Sequence, residues 1–416
     1  MKSLIKNIGT LYGIQPSGKQ LLSGKEMMEV HSLANAWLSI EDSIITDFGT
    51  LKTYPNETYF DQIIDAAQQT VIPGLIDSHT HIIFSKTREE EFKMKIKGKS
   101  YEEIAAAGGG ILNSANAMQA ASKEQLKQDA LQRINDCIQT GTVAFEIKSG
   151  YGLTTESEIK MLEVATELRD MNLIPIKRTL LGAHAIPTAY KSDRKAYIEK
   201  IKNELIPRVA QRKLADYIDV FCDKGFFTPD ETSEILKTGS QFGLKAKIHA
   251  NQLATSGGVQ VGVACNAISV DHLENIGNEE IETLHKSNTL PVSLPGCSYY
   301  LNMPFTPSRS IIDAGLPLVL ASDFNPGSCP SGNLLFVWSL ACTKMKLLPE
   351  EAFNALTINA AAAIELSDHY GSITKGKKAS LLFFRTGTTL THIPYHFAMS
   401  RPAKVMLEGQ FFNAEN

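Results

Sequence analysis

The chain has 416 residues, a hydrophobic content of 43% and a formal net charge of −4 at pH 7. This length exceeds the roughly 250 residues of a bare barrel domain and leaves room for a second, smaller domain. Acidic and basic residues are mixed along the chain, which argues against a nucleic-acid or membrane surface and favours a small-molecule substrate. Six widely spaced cysteines and the lack of an apolar signal segment predict a soluble, reduced, cytoplasmic protein.

Short β-like segments separated by polar turns occupy residues 1 to about 70. From about residue 71 onward, apolar runs alternate with helical stretches, a texture typical of βα units in a parallel sheet. One helical stretch begins with Thr155-x-x-Glu158, which predicts a capping box. The eight predicted strands are Val71–His81, Thr142–Lys148, Leu173–His184, Tyr217–Cys222, Leu244–His249, Ala267–His272, Leu290–Leu294 and Leu316–Asp323.

The count of eight alternating units predicts an α/β fold, a closed (β/α)8 TIM-like barrel. A doubly wound open sheet is the structural alternative. The texture returns to β after residue 371, so the N- and C-terminal segments are expected to form one small β-sandwich domain beside the barrel. The expected division assigns residues 1–70 and 371–416 to the small domain and residues 71–370 to the barrel.

His79 and His81 close the first predicted strand. Side chains alternate faces along a strand, so both imidazoles point to one side while Thr80 points away. Neutral imidazole is a common ligand for first-row metals, and the pair therefore predicts half of a metal site. Two histidines on a solvated strand end are the alternative, because a short motif of this kind is weak evidence by itself.

Further polar side chains stand where other predicted strands end. The C-terminal strand ends of a barrel meet at one face, where chemistry collects. Three imidazoles and one carboxylate suit a first-row metal with a position open to water, so we expect the ligands His79, His81, His249 and Asp323. Asp323 is also expected to take a proton from that water, the alternative being a simple turn cap. The strand-end residues are His79, His81, His184, His249, Asp271, His272 and Asp323.

Five motifs make a family resemblance specific. The order of the histidines and the aspartate along the strands resembles the amidohydrolase superfamily, and the finer motifs resemble its imidazolonepropionase family. EIKSGYGL and SDFNPGS are the most particular of them, and the resemblance covers essentially the whole chain. The motifs are PGLIDSHTH at 73–81, EIKSGYGL at 146–153, KIHANQ at 247–252, DHLE at 271–274 and SDFNPGS at 322–328.

The resemblance implies a hydrolase that opens the imidazolone ring of 4-imidazolone-5-propanoate with water. The product is N-formimidoyl-L-glutamate, and the reaction is the third step of histidine degradation. The resemblance further implies one divalent metal ion per chain, zinc or iron, and a homodimer. The ligand set alone leaves the choice of metal open.

The substrate of that reaction carries a propionate, and Arg88 is expected to hold it through two parallel hydrogen bonds. Tyr151 stands between two glycines that let its loop approach a ligand. His272 is expected either to polarise the ring carbonyl or to hydrogen-bond the metal-bound hydroxide, and in both cases to stabilise charge that develops in the tetrahedral intermediate. A solvated arginine, a rim tyrosine and a buried structural histidine are the alternatives. The other expected substrate-binding residues are His184, Gln252, Asn325, Gly327 and Ser328.

Gln252 departs from the pattern of the superfamily's deaminases, which carry a glutamate three residues after the strand-five histidine. An amide cannot carry that glutamate's proton, so proton transfer is expected to fall to Asp323 and His272, with Gln252 as a hydrogen-bonding group. The fourth predicted strand ends without the lysine that two-metal members use, which favours a single metal. A deaminase, a cyclic-imide hydrolase and an inactive scaffold of the same superfamily are the alternatives.

A long segment separates His81 from the second predicted strand and includes Gly108, Gly109 and Gly110. Loops of this length often carry functional residues. We therefore expect it to contain a helix and a mobile cover over the site.

Overall fold

The computed structural model describes residues 1–99, 103 and 110–413. Gly108 and Gly109 lie outside these residues, and so does that part of the expected cover. Within the described ranges, no helix is long and apolar enough to cross a membrane. The α-helices are Glu89–Ile96, Ile111–Ala120, Lys123–Gln139, Thr155–Asp170, Arg194–Lys200, Ile206–Gln211, Pro229–Gln241, Gly258–Ala264, Asn278–His285, Pro295–Leu301, Ser308–Asp313, Leu334–Met345, Pro349–Leu356, Ile358–Ala363 and His392–Tyr395.

Both ends of the chain build one mixed sheet of eight strands. The strands are β1 (Lys2–Ile14), β2 (His31–Glu41), β3 (Ile44–Thr50), β4 (Gln62–Asp65), β5 (Thr70–Pro73), β15 (Leu381–Phe384), β16 (Lys404–Leu407) and β17 (Gln410–Phe411). Strand β1 pairs antiparallel with β2 and parallel with β4 and β5, while β15 pairs antiparallel with β5 and β16. The expectation of a separate small β domain made from the two chain ends is confirmed.

The middle of the chain forms a parallel barrel. Its strands are β6 (Leu75–Thr80), β7 (Thr142–Lys148), β8 (Ile176–Ala183), β9 (Tyr217–Cys222), β10 (Lys245–Ala246), β11 (Ile248–Ala250), β12 (Ser269–His272), β13 (Leu290–Ser293) and β14 (Val319–Leu320). The pairing runs β6-β7-β8-β9-β11-β12-β13-β14, with β10 on β9. Backbone hydrogen bonds from His81 to Phe324 (2.9 Å) and from Asp323 to His79 (3.1 Å) join the two edges. The predicted barrel is confirmed.

The run Val71–His81 was expected to be one strand, and that expectation is wrong. Its first part, β5, pairs with β15 of the small sheet, and only β6 belongs to the barrel. Gly74 separates the two, and a Cβ at this position would overlap the side chain of Val143. The sequence did not reveal that the chain passes from one sheet to the other here, because the apolar run is continuous and apolar periodicity does not identify the partner strand. The division at residues 70 and 370 stays a prediction.

Burial explains why the barrel strands read as nearly continuous apolar runs. Every residue of β7 and β9 is buried, as expected for parallel strands covered on both faces. The charged side chains on these strands must therefore be paired inside the barrel. All strands of the barrel run in the same direction, so their carboxyl ends place side chains from β6, β11, β12 and the segment after β14 around one point.

Candidate active site

Three imidazoles converge at the carboxyl end of the barrel. His79 lies on β6, His81 directly follows it, and His249 lies on β11; all three are buried. Nε2 of His81 lies 3.3 Å from Nε2 of His79 and 3.4 Å from Nε2 of His249. Oδ1 of Asp323 lies 3.7 Å from Nε2 of His79 and 3.6 Å from Nε2 of His81. The structure therefore brings the four expected ligands together.

Two buried carboxylates orient two of these imidazoles. Nδ1 of His79 lies 2.6 Å from Oδ2 of Asp271, and Nδ1 of His249 lies 3.0 Å from Oδ1 of Asp219. A proton held on Nδ1 by a carboxylate leaves the Nε2 lone pair facing the centre. Burial also lowers the pKa of His79 and of His81 well below the ordinary value of 6.5, so both rings are neutral at neutral pH.

The spacing of the donor atoms fits a bound metal ion. Neutral Nε2 lone pairs 3.3 and 3.4 Å apart repel each other unless a cation lies between them. Around a tetrahedral ion with bonds of about 2.0 to 2.1 Å, neighbouring donors are about 3.3 to 3.4 Å apart. Three imidazoles and one carboxylate are also the donor types that zinc and iron accept. The residues present therefore fit a first-row divalent metal.

A buried ionic layer lies beneath the imidazoles, and the sequence reasoning missed it. Nζ of Lys148 on β7 lies 2.5 Å from Glu146, 2.8 Å from Asp219 and 3.7 Å from Asp271. Lys247 pairs with the other oxygen of Glu146. Lys148 thus contacts both carboxylates that orient ligand histidines. The sequence did contain a signal for this layer, because Lys148 and Lys247 stand in predicted buried strands. A buried ammonium group requires buried partners of opposite charge.

His272 ends β12 with its ring centroid 5.2 Å from that of His249. Oε1 of Glu274 lies 3.5 Å from its Nδ1. Burial opposes protonation of His272, but Glu274, Asp323 and Asp271 outweigh this effect and raise its pKa above the ordinary 6.5. His272 and Asp323 both have positive φ angles, 88° and 58°. Non-glycine residues are seldom held in this strained region, and such residues concentrate at functional sites.

Arg88 lies at the start of the helix Glu89–Ile96 and is largely buried. Its Nε donates a hydrogen bond to Oγ of Ser114 at 2.9 Å. Its Nη2 is buried and has no hydrogen-bond partner among the described residues. An unpaired buried guanidinium nitrogen is costly, so this geometry favours an anionic ligand there. The alternative of a solvated arginine does not describe its position.

Tyr151 and His184 lie next to His81, and Tyr151 also lies next to Arg88. The Arg88 guanidinium carbon lies 5.9 Å from the Tyr151 ring centroid, which lies 5.8 Å from the ring of His81. His184 stacks on His81 at 5.3 Å with an interplanar angle of 13°. Its Nδ1 lies 3.0 Å from the carbonyl oxygen of Gly150. Burial is the main reason why the pKa of His184 falls to about 3, so its ring is neutral at neutral pH.

The carboxylate of Glu158 holds the loop that carries Tyr151. It accepts hydrogen bonds from the backbone N–H groups of Gly150 (2.8 Å), Gly152 (2.7 Å) and Leu153 (2.8 Å). The predicted capping box that starts at Thr155 is therefore wrong. The helix is capped by Thr154, and Glu158 bonds to the preceding loop, a contact that the local sequence pattern does not distinguish from a box.

The loop after β14 is held by its own side chains. Oδ1 of Asn325 accepts hydrogen bonds from the N–H groups of Gly327 and Ser328, each at 2.8 Å. Nδ2 of Asn325 donates to Oγ of Ser328 at 2.6 Å, and that hydroxyl donates to Oδ2 of Asp323 at 3.2 Å. Asn325 therefore shapes the loop and orients Asp323 through Ser328, while its role in substrate binding stays a prediction.

Gln252 faces the centre from the segment after β11. Its backbone N–H donates to Oδ2 of Asp223 at 2.7 Å, and its Nε2 lies 3.3 Å from Sγ of Cys297. Cys297 lies in the helix Pro295–Leu301 and is fully buried. The sequence reasoning assigned no role to this thiol. No spacing rule connects a residue after β11 with a helix that follows β13.

A small cavity of about 50 Å³ lies at the centre. Most of the residues singled out from the sequence line it, whereas His79, Arg88 and Gly327 are not among its lining residues. The lining residues are His81, Tyr151, His184, Phe221, His249, Gln252, His272, Asp323, Asn325 and Ser328.

Comparison with known proteins decides the family. The chain matches the model of the amidohydrolase family over residues 70–411. It is 50% identical to the imidazolonepropionase of Flavobacterium johnsoniae over 410 residues, which cover 99% of this chain and 100% of that one. It is 39% identical to the imidazolonepropionase of Thermoanaerobacter pseudethanolicus over 397 residues, covering 95% and 94% of the two chains. The chain belongs to the imidazolonepropionase family of amidohydrolases.

Solved structures share the fold of this imidazolonepropionase-family chain at low sequence identity. A guanine deaminase from C. acetobutylicum with bound guanine superposes with a TM-score of 0.72 at 16% identity, covering 99% of this chain and 100% of that one. A 5-methylcytosine deaminase from Klebsiella pneumoniae gives a TM-score of 0.72 at 15% identity, covering 97% and 98%. These likenesses show the barrel and its small domain, and the near-full-length relatives identify the family.

Proposed function

We propose that this chain hydrolyses 4-imidazolone-5-propanoate to N-formimidoyl-L-glutamate, a step of histidine degradation. The relative from Flavobacterium johnsoniae, 50% identical over 99% of the chain, supports this activity. The observation that carries the proposal is the buried Nη2 of Arg88, which has no hydrogen-bond partner among the described residues, on the far side of Tyr151 from a centre of three imidazoles and one carboxylate. The substrate presents a carboxylate and a cyclic amide, and this site offers a group for each.

The metal of the proposed enzyme is one divalent ion per chain, zinc or iron, held by His79, His81, His249 and Asp323. Three close contacts between donor atoms support this ligand set. When bound, such an ion lowers the pKa of a coordinated water and polarises a carbonyl oxygen. Elemental analysis of protein expressed in zinc- and iron-supplemented media tests both the identity of the metal and a ratio of one per chain.

Substrate binding is assigned to the groups between the cavity and the helix Glu89–Ile96. Arg88 holds the propionate through its guanidinium, with Nη2 supplying a donor that has no partner in the described part of the chain. Tyr151 and His184 form the wall beside the ring, because their rings lie 5.4 Å apart next to His81. Anchoring the propionate at one end fixes the distance of the ring carbonyl from the centre.

Proton transfer is assigned to Asp323 and His272. Water oxygen bonds to the ring carbonyl carbon, and the carboxylate of Asp323 accepts the proton that the water loses. His272 donates a hydrogen bond to the carbonyl oxygen as negative charge develops on it. The ring C–N bond then breaks, and Asp323 returns the proton to the leaving nitrogen. Gln252 contributes hydrogen bonds only, since its amide neither gains nor loses a proton near neutral pH.

A deaminase is the second candidate, because solved deaminases share the fold. Gln252 argues against it, since position 252 lacks the glutamate that is typical of the superfamily's deaminases. A panel of freshly generated imidazolonepropionate, guanine and cytosine distinguishes the two. Loss of imidazolonepropionate's ultraviolet absorbance with metal-replete protein supports the proposal. No turnover of that compound, together with release of ammonia from a nucleobase, would overturn it.

We also infer that the enzyme is a cytoplasmic homodimer. The six cysteines, all within the described part of the chain, are unpaired, which suits a reducing compartment. Sedimentation equilibrium on the metal-loaded protein tests the dimer, and a mass near one 45.6 kDa chain would contradict it.

A further inference from the structure

The thiol of Cys297 occupies a central position that the assigned chemistry does not use. Its Sγ, a nitrogen of His272 and a carboxylate oxygen of Asp323 all lie within 4.8 Å of one another. On its other side, Nε2 of Gln252 lies 3.3 Å from Sγ. The side chain is fully buried, so no solvent competes for these contacts.

The contact between the thiol and Gln252 has a defined direction. Nε2 of Gln252 is the donor and Sγ of Cys297 is the acceptor. An amide nitrogen donates hydrogen bonds and accepts none. The NH2 end of the Gln252 amide must therefore face Cys297.

This contact fixes the other end of the amide as well. The backbone of Gln252 is held by Asp223 at 2.7 Å and by Asn275, whose Nδ2 donates to the Gln252 carbonyl oxygen at 2.8 Å. With the backbone held and Nε2 on the sulfur, Oε1 remains as the atom presented to the cavity that Gln252 lines. A carbonyl oxygen there accepts a hydrogen bond and donates none.

We propose that Cys297 is a positioning residue that holds the Gln252 amide with its carbonyl oxygen toward the substrate, so that the site selects a ring bearing an N–H donor. The inference rests on the proposed function, because the imidazolone ring supplies such an N–H next to the bond that breaks. Without the thiol, the amide is free to rotate by 180° and present its NH2 group instead. The ring N–H would then face the NH2 group of Gln252, two donors would oppose each other, and substrate binding would weaken.

Four variants test the proposal: Cys297→Ala, Cys297→Ser, Gln252→Leu and the double variant Cys297→Ala/Gln252→Leu. We expect Cys297→Ala to raise KM by about 3- to 10-fold, the range of one ordinary hydrogen bond, while kcat changes by less than about 2-fold. Cys297→Ser keeps one donor and one acceptor and recovers most of the wild-type KM. The double variant has the KM of Gln252→Leu alone, since the thiol acts through that amide. Cys137→Ala, which removes a buried thiol outside the site, is the matched control.

A wild-type KM in Cys297→Ala, or a KM in the double variant equal to the product of the single effects, would overturn the proposal. Melting temperatures of the metal-loaded variants give a readout without substrate. We expect the double variant to lose less in Tm than the sum of the two single losses, because both remove the same contact. Additive losses in Tm would overturn the inference even if the enzyme acted on another substrate. If Cys297→Ala fails to fold, Cys297→Val supplies an apolar side chain for the same comparisons.

Discussion

The guanidinium of Arg88 packs directly against Gly327, so closely that a Cβ at residue 327 would overlap Nη1. The two residues are far apart in sequence, one before the helix Glu89–Ile96 and the other in the loop after β14. Lys95 strengthens the same contact, since its Nζ donates to the Gly327 carbonyl oxygen at 3.1 Å. The segment that carries Arg88 is thus attached to the loop that carries Asp323.

Replacing Gly327 with alanine is expected to displace Arg88 without removing its charge. We expect KM for imidazolonepropionate to rise by about 10-fold or more, because hydrogen bonds to a charged group contribute about 1.5 to 3 kcal/mol. Metal content should not change. Steady-state kinetics and elemental analysis check both points. Gly277→Ala adds the same methyl group next to only the flexible end of Glu280 and is the control. An unchanged KM in Gly327→Ala, with Arg88→Ala strongly impaired, would show that Arg88 tolerates the displacement.

Variants of His249 and Asp219 distinguish the loss of a metal ligand from the loss of the carboxylate that orients this ligand. His249→Ala removes a ligand and is expected to abolish both bound metal and activity. Asp219→Asn keeps the size of the side chain but weakens the hold on Nδ1 of His249, so metal affinity should fall by about 10- to 100-fold. Competition with a chromophoric chelator measures the two affinities. Equal affinity in Asp219→Asn and wild type would refute the orienting role of Asp219.

Lys148 is expected to be essential for stability because its buried carboxylate partners would be left uncompensated. Lys148→Met should lower the free energy of unfolding by about 3 to 5 kcal/mol, the range for breaking a buried ion pair from one side. Lys93→Met, which breaks an exposed pair with Glu90, should change it by less than about 1 kcal/mol. Urea denaturation of both variants gives the comparison. Similar losses in the two would mean that the buried layer is no more important than a surface pair.

The sequence predicted which side chains converge because they stand at strand ends, where a parallel barrel brings them together. His79, His81, His249, His272 and Asp323 were placed at one centre in this way, while their roles stay predictions. The supporting groups were harder to find. Asp219 lies inside a strand, and its partner His249 is on another one, so only the folded barrel shows the contact.

One wrong prediction and one omission have the same cause. Glu158 has the spacing of a capping-box glutamate, yet its carboxylate accepts hydrogen bonds from three backbone N–H groups of the preceding loop. Cys297 carried no motif at all, and its contact with Gln252 depends on how the helix Pro295–Leu301 packs. Side chains that act through tertiary contacts leave no periodic signal in a single sequence.

Lys377 gives a pH-dependent prediction outside the active site. It is 5% exposed and donates to the Tyr370 carbonyl oxygen at 3.1 Å and to Oγ of Ser372 at 2.8 Å. Burial lowers its pKa from 10.5 to about 8. The unfolded chain therefore holds more protons than the folded one between about pH 8 and 10.5, and stability rises with pH in that window.

The measurement is the unfolding free energy of wild type minus that of Lys377→Met across that window. We expect this difference to increase as pH rises from 8 toward 10. Lys375→Met removes a lysine from a neighbouring exposed position and corrects for effects of net charge. A difference that stays flat or falls would show that Lys377 remains charged at no cost in the folded protein.

Gly74 is the single residue between the last strand of the small sheet before the barrel and the strand that carries His79. Backbone hydrogen bonds secure the chain on both sides, to Ser380 at Gly74 itself and to Gly141 at Leu75. The strand that carries His79 is thus fixed at its N-terminal end, and a shift along its axis would also displace the terminal sheet. A barrel shortened to begin after Gly74 would lose this attachment to the terminal sheet, and we expect the spacing of His79 and His81 to change as a result.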